Sequence, residues 1–314
     1  MVTLDITYGR PELSAVRDAA RVPNNWGPLC GTLTDGVVDG EDRSDRVAVA
    51  AATIVRGTRG RVPPGLDAWL STRPGDPSAL LLRGAVEVLR AWEVRGARLA
   101  SQTEGRRLAE FVSVLGHAES LCRAAAQLAP TDPTPWLYLL HMARGQQVGA
   151  QETLNRLARL ELCSPGHLAG YYQAVYSLSP MWGTPVEVMR EQVGKWTAAA
   201  APGSPLHSLL FVANFEWWRR DRLAHADVFQ DEQARDEARR AADLMTMEPC
   251  QRPADYLAHN YAAGWFSYTG ERKRALAHFR LLGGHCTRFP WDYDKNRPRS
   301  LFWGKRLRAR VPVG

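Results

Sequence analysis

Histidine and tyrosine side chains are the groups of this sequence best suited to acid–base chemistry. Three histidines, His141, His207 and His259, fall in separate predicted helices. An imidazole can act as general acid, general base or metal ligand, and the phenol of Tyr172 could assist it. These four residues are the catalytic candidates if the protein is an enzyme. A metal site that the three histidines assemble across helices stays open as an alternative, but we predict no metal.

The sequence contains none of the motifs that carry common enzyme and cofactor chemistries. His225 and Asp227 are two residues apart, which turns them to different sides of a helix, and no HExxH or cysteine–histidine zinc spacing occurs. A GxxxxGK[ST] loop, a GxGxxG turn and a GxSxG elbow are also absent. The five cysteines are widely spaced and form no CxxC pair, so a disulfide framework is not predicted. We expect no cofactor.

Charge is distributed unevenly along the 314 residues, whose formal net charge is +7. Residues 295–314 contain seven lysines and arginines and no acidic residue, which leaves a net charge of zero for residues 1–294. We do not expect nucleic acid as a partner, except through this basic tail. No run approaches the roughly 18–20 apolar residues of a membrane span, and the N-terminal stretch lacks a signal peptide's apolar core. The prediction is a cytoplasmic protein with no membrane partner.

Helical periodicity and helix-terminating residues predict an all-α fold. Asp76 and Pro77 form an N-cap and first-turn pair for one helix, and a long helix is predicted over residues 104–128. After Pro133 the chain divides into units of two helices and a turn. The predicted pairs are residues 134–145 with 149–161, 166–178 with 184–199, 205–220 with 231–247, and 253–268 with 271–282.

The two ends of the chain are less regular than this middle part. Near the N-terminus we expect helices at about residues 11–21 and 42–56, separated by a Gly-, Asn- and Pro-rich stretch that should be irregular. Phe302, Trp303 and Leu307 predict a short amphipathic helix that caps the last pair. The predicted domains are an N-terminal segment (1–62), a helical-repeat domain (63–290) and a basic C-terminal cap or tail (291–314).

Two stretches resemble the tetratricopeptide repeat (TPR). In residues 118–143 its small, large and proline positions are occupied by Ala118, Ala125, Pro130, Trp136 and Leu139, and Cys122 stands where an aromatic residue is usual. The last pair repeats the pattern with Ala263, Phe266, Ala275 and Phe279. The Arg-rich chain therefore resembles a divergent TPR-like protein of actinobacterial type. The resemblance implies a right-handed stack of helical hairpins, in which neighbours complete the core of each hairpin.

The resemblance also implies where a ligand binds. In a TPR-like stack the first helix of each pair lines a concave surface, where asparagine and arginine hold a peptide's carboxylate or backbone. The predicted ligand-binding residues on this face are Arg144, Tyr172, Gln173, Tyr176, Asn214, Trp217 and Asn260. The first hypothesis is a scaffold that binds a peptide or protein segment in this groove. The alternative is an enzyme or small-molecule-binding protein of specialised metabolism that uses the histidines and tyrosines of the same face.

Overall fold

The computed structural model describes residues 5–22, 26–58, 61–96, 104–221, 227–293 and 297–310, and within them the protein is all-helical. The helices are α1 (Pro11–Ala20), α2 (Trp26–Thr34), α3 (Gly40–Thr58), α4 (Pro64–Thr72), α5 (Pro77–Arg95), α6 (Gly105–Leu128), α7 (Thr134–Gln146), α8 (Gly149–Cys163), α9 (Leu168–Ser177), α10 (Val186–Ala199), α11 (Leu209–Asp221), α12 (Glu232–Leu244), α13 (Pro253–Tyr268), α14 (Arg272–Leu282) and α15 (Pro298–Arg310). The described residues contain no β-strand, only an isolated bridge between Gly203 and Met245. The predicted all-α class is confirmed.

The chain forms two compact units. The N-terminal unit comprises Gly9–Ser177 and contains α1 to α9. The C-terminal unit comprises Leu178–Gly314 together with the described residues up to Tyr8, and contains α10 to α15. The domain boundaries predicted after residues 62 and 290 stay predictions. Among the described residues, none of the helices has the length and hydrophobicity that a membrane-spanning segment needs.

Helix bounds follow the local sequence signals. The carboxylate of Asp76 accepts hydrogen bonds from the backbone N–H groups of Ser78 (2.9 Å) and Ala79 (3.3 Å), which caps α5 as predicted. A cap of this kind contributes about 1 kcal/mol. Helices α7 to α14 match the eight predicted helices of the four pairs, with shifts of a few residues. In the third pair a 3-10 turn at Pro205–Ser208 precedes α11.

Helices of the N-terminal unit approach each other closely where the sequence has glycine. A Cβ on Gly84 of α5 would lie 2.8 Å from Sγ of Cys122 on α6, and one on Gly145 of α7 would lie 2.7 Å from Phe111. Cys122 is fully buried, and burial raises the pKa of its thiol to about 12, as expected of a core cysteine. Leu128, the last residue of α6, is 52% exposed.

The Gly-, Asn- and Pro-rich stretch near the N-terminus is helical over residues 26–34, contrary to the prediction. It contains α2, whose Leu29 and Leu33 are buried in the N-terminal unit. The ring of Trp26 stacks on Trp69 with ring centres 5.8 Å apart. Burial of these side chains outweighs the low helix propensity of the glycines and proline, a tertiary effect that local sequence rules do not capture.

Aromatic packing holds the end of the C-terminal unit together. Trp291 is fully buried, with its ring centre 5.8 Å from Phe279 on α14 and 5.4 Å from Phe302 on α15. The capping helix predicted from the sequence is therefore present as α15. Only Phe302 of its three predicted apolar residues is buried, while Trp303 and Leu307 are 45% and 44% exposed. Consecutive helical residues point about 100° apart, so Trp303 is turned away from the direction in which Phe302 packs.

Candidate functional site

An arginine between two aromatic rings is the centre of the candidate site in the N-terminal unit. The guanidinium carbon of Arg144 on α7 lies 4.5 Å from the ring centre of Trp92 on α5 and 5.6 Å from that of Tyr176 on α9. Its Nη1 donates a 2.8 Å hydrogen bond to Oε1 of Gln173, also on α9. All four side chains are partly exposed. We call Trp92, Arg144, Gln173 and Tyr176 the Arg144 cluster.

Helical spacing explains why these side chains meet. Residues three or four apart share one face of a helix, which aligns Gln173 with Tyr176 and His141 with Arg144. Tyr172 is buried and stacks on Tyr176 with ring centres 6.5 Å apart. The structure thus brings together these five predicted residues on α7 and α9. Trp92 is the member that sequence reasoning missed, because an aromatic residue at helical spacing resembles a core residue.

His141 borders the Arg144 cluster as a neutral ring. Its ring centre lies 6.4 Å from Trp92 and 6.3 Å from Tyr138. Burial, together with the nearby charge of Arg144, lowers the pKa of His141 to about 3. The imidazole is therefore uncharged at neutral pH and too weakly basic for efficient proton transfer there. Its position suits an uncharged wall of a binding site.

The C-terminal unit contains a related arrangement around Arg190 of α10. The guanidinium carbon of Arg190 lies 4.8 Å from the ring centre of Trp217, and its Nη1 donates to Oδ1 of Asn214 at 3.2 Å. Its Nη2 lies 2.7 Å from Oε2 of Glu237 on α12. Two predicted residues, Asn214 and Trp217, are therefore neighbours. The carboxylate of Glu237 neutralises the charge of Arg190 here.

Arg190 and Glu237 were not predicted. They lie on α10 and α12, the second helices of their pairs, whereas the TPR resemblance directs attention to the first helices. The amide Nδ2 of Asn214 is buried and has no hydrogen-bond partner among the described residues. A buried, unbonded amide donor is unusual in a folded protein.

Asn260 lies inside the fold of the C-terminal unit. Its Nδ2 donates to the backbone oxygens of Tyr256 (2.7 Å) and His285 (3.2 Å). Its Oδ1 accepts from Nε1 of Trp291 (2.7 Å) and from the backbone N–H of Thr287 (3.4 Å). The side chain is fully buried, so Asn260 serves packing here and presents no surface to a ligand. Its hydrogen bonds to residues 285, 287 and 291 could not be predicted from the sequence, because these residues lie far along the chain.

The other two candidate histidines are buried. Nε2 of His207 lies 3.0 Å from the carbonyl oxygen of Ala201, to which it donates. Nδ1 of His259 lies 2.9 Å from Nδ1 of His278 on α14, so one of these nitrogens donates and the other accepts. His207 and His259 therefore have different hydrogen-bond partners, and His141 belongs to the N-terminal unit.

His259 also lines a cavity at the N-terminal end of α13. The cavity has a volume of about 220 Å³ and is lined by Thr246, Glu248, Pro249, Gln251, Arg252, Asp255 and His259. Burial lowers the pKa of His259 to about 4, although the charge of Asp255 opposes this shift. Burial, His259 and Arg274 lower the pKa of His278 to about 3. Both imidazoles are neutral at pH 7.

Acid is expected to destabilise the C-terminal unit through this histidine pair. Both pKa values lie below the unfolded value of about 6.5, so the unfolded state binds more protons in acid. The stabilisation is complete above pH 6.5 and is lost as the pH falls toward 4. The free energy of unfolding changes by about 1.4 kcal/mol per pH unit for each such group. At pH 5 each histidine should therefore lower it by on the order of 2 kcal/mol.

Urea unfolding at pH 7 and pH 5 checks this expectation. The double variant His259→Gln/His278→Gln should lose less stability in acid than the unmodified protein. His117→Gln, which changes an exposed histidine on α6, should behave like the unmodified protein. If all three proteins lost the same free energy of unfolding between pH 7 and pH 5, the pair His259 and His278 would not be the cause of the acid sensitivity.

A buried serine–histidine pair in the N-terminal unit was not predicted. Nε2 of His167 lies 3.0 Å from Oγ of Ser44, which is 3.1 Å from Oγ1 of Thr134. Nδ1 of His167 accepts a 3.3 Å hydrogen bond from the backbone N–H of Gly170. Nε2 therefore carries the proton and donates to Ser44, so this tautomer cannot activate the serine as a nucleophile. The pair joins α3 to the start of α9.

Neither possible metal ligands nor similarity to known proteins indicates what this site binds. Within the described residues, no group of three or more His, Cys, Asp and Glu side chains could hold a metal ion. No protein-family model matches the chain, and no curated protein or solved structure is significantly similar to it.

Proposed function

We propose that the protein is a TPR-like helical scaffold that binds a peptide or protein segment, with a carboxylate of that segment on Arg144. The observation that supports this most is the position of the Arg144 guanidinium, which Gln173 holds by a hydrogen bond. Its carbon lies 4.5 Å from the ring centre of Trp92 and 5.6 Å from that of Tyr176. A guanidinium is charged at every physiological pH and matches a carboxylate with two parallel N–H donors. Fixing its plane before binding reduces the entropy lost when the ligand binds.

The side chains around Arg144 suit the rest of such a ligand. Trp, Tyr and Arg are the residues that dominate the binding energy of protein interfaces. The rings of Trp92 and Tyr176 are partly exposed beside the guanidinium and offer flat apolar contact. The neutral ring of His141 adds a surface without a competing charge. These contacts support recognition of a carboxylate next to an apolar or aromatic side chain.

The alternative, a pocket enzyme or small-molecule-binding protein on the same face, stays a prediction. The lowered pKa values of His141 and His259 favour binding over acid–base catalysis at neutral pH. A cytoplasmic location and an actinobacterial origin also stay predictions. The second is supported only by the excess of arginine over lysine.

Selection from a random peptide library with free C-termini tests the proposal. Arg144→Gln should weaken the selected peptides about 10- to 100-fold, because a hydrogen bond to a charged group is worth roughly 1.5–3 kcal/mol. Arg159→Gln changes an exposed arginine on α8 and should leave the affinity unchanged. Failure to select any peptide, or equal binding by the Arg144→Gln protein, would overturn the proposal.

A further inference from the structure

Helix α15 carries arginines that the rest of the C-terminal unit does not neutralise. Residues 297–310 contain no acidic residue. The exposed side chains of Arg299, Arg308 and Arg310 form no ion pair with any residue that the structure describes. Arginines elsewhere in the same unit do pair, as Arg239 does with Glu271 at 3.2 Å. The charge on α15 is therefore available to an external anion.

Like charges on α15 also act on one another. Burial and the positive charge of Arg310 lower the pKa of Arg306. Such repulsion within one helix is relieved when an anionic partner adds negative charge nearby.

The inner face of α15 is firmly packed. The ring of Phe302 lies 5.2 Å from Phe279 and 5.4 Å from Trp291. Nζ of Lys305 donates to the backbone oxygen of Ser267 at 3.3 Å. These contacts hold α15 on the unit as a folded helix, so its outer face is displayed in a fixed orientation.

The outer face combines apolar and cationic side chains. Trp303 and Leu307 are 45% and 44% exposed and lie four residues apart, hence side by side. Arg299 precedes Trp303 by four residues, and Arg310 follows Leu307 by three. This face therefore has an apolar centre with arginines toward both ends of the helix.

We propose that the outer face of α15 docks on the surface of an anionic lipid bilayer. Tryptophan prefers the interface between headgroups and acyl chains, leucine prefers the acyl side of that boundary, and arginines can reach the lipid phosphates. This proposal is independent of the Arg144 cluster. It departs from the expectation of no membrane partner, which was based on the lack of a spanning segment.

The apolar pair favours lipid over nucleic acid as the anion. A base can stack on Trp303, but a nucleic acid strand offers no apolar phase to Leu307. Proteins that hold single strands use a positively charged groove, whereas α15 presents the convex side of one helix. A bilayer surface satisfies both the arginines and the apolar pair.

Cosedimentation with vesicles tests the proposal on the full chain. The protein should bind phosphatidylcholine vesicles containing about 30 mol% phosphatidylglycerol at least tenfold more strongly than phosphatidylcholine alone, and high salt should weaken this binding. The triple variant Arg299→Gln/Arg308→Gln/Arg310→Gln should lose binding by about tenfold or more. A matched control, Arg56→Gln/Arg106→Gln/Arg159→Gln, makes the same charge change on exposed residues of the N-terminal unit and should bind normally.

The apolar pair has its own variant. Trp303→Ala/Leu307→Ala should weaken vesicle binding about three- to tenfold while the far-UV circular dichroism stays unchanged, because both side chains are exposed. No binding to anionic vesicles, or equal losses in both triple variants, would overturn the proposal. So would unchanged binding by the double variant, or a stronger affinity for a single-stranded oligonucleotide.

Discussion

Replacing Trp291 with alanine is expected to lower the free energy of unfolding of the C-terminal unit by about 3–5 kcal/mol. The indole is fully buried and its ring packs against Phe279 and Phe302, so it connects α14 to α15. Its Nε1 also donates a 2.7 Å hydrogen bond to Oδ1 of Asn260. The variant therefore creates a large cavity and removes a hydrogen bond from a buried amide.

Trp303→Ala is the matched control, since it removes the same side chain from an exposed position on α15. Surface substitutions of this kind change stability by about 0.5 kcal/mol or less. Urea unfolding followed by circular dichroism compares the two variants. If both variants lost a similar, small amount of unfolding free energy, the packing around Trp291 would not stabilise the end of this unit.

Arg156→Ala is expected to lower the free energy of unfolding of the N-terminal unit by about 2–3 kcal/mol, because it removes a buried guanidinium together with its charge-assisted hydrogen bonds. The guanidinium of Arg156 is almost fully buried. Its Nη1 donates to the backbone oxygen of Leu139 at 2.7 Å. Its Nε and Nη2 lie 2.9 Å from Glu152 and 3.1 Å from Glu119. Alanine would leave that buried carbonyl with one partner fewer and both carboxylates without this cation.

Arg123→Ala provides a close comparison. Arg123 pairs with the same two carboxylates, at 2.7 Å from Glu119 and 3.7 Å from Glu152, but its side chain is 46% exposed. Exposed pairs contribute about 0–1 kcal/mol because water and salt screen them. The difference between the two variants isolates the effect of burial. Equal losses in urea unfolding would contradict it.

The helices were predictable because residues close to each helix end in the sequence determine where the helix begins and stops. The Asp76 cap and the proline-marked breaks set the bounds of α5 and of α7 to α14 in the sequence itself. Helix α2 was not predictable, because burial of Leu29 and Leu33 overrides its glycines. The exposure of Trp303 likewise depends on which side of α15 faces the unit, which Phe302 decides through contacts with distant residues.

The candidate site was partly predictable for the same reason. His141 and Arg144, like Tyr172 and Tyr176, are three or four residues apart, so helical geometry alone puts each pair on one face. Trp92 joins them from α5, and only the packing of α5 against α7 reveals this. Asn260 has a side chain typical of a ligand contact, but it accepts a hydrogen bond from Trp291, which lies far along the chain. Its buried position could therefore not be predicted from the sequence around it.

A double-mutant cycle between ligand and protein tests the central claim most directly. The affinity of a selected peptide and of the same peptide with its carboxylate converted to a carboxamide is measured by calorimetry, on the unmodified protein and on Arg144→Gln. If the carboxylate contacts Arg144, the carboxamide should weaken binding about 10- to 100-fold on the unmodified protein and less than about threefold on the variant. The same penalty on both proteins would contradict the account, because the carboxylate would then be recognised elsewhere.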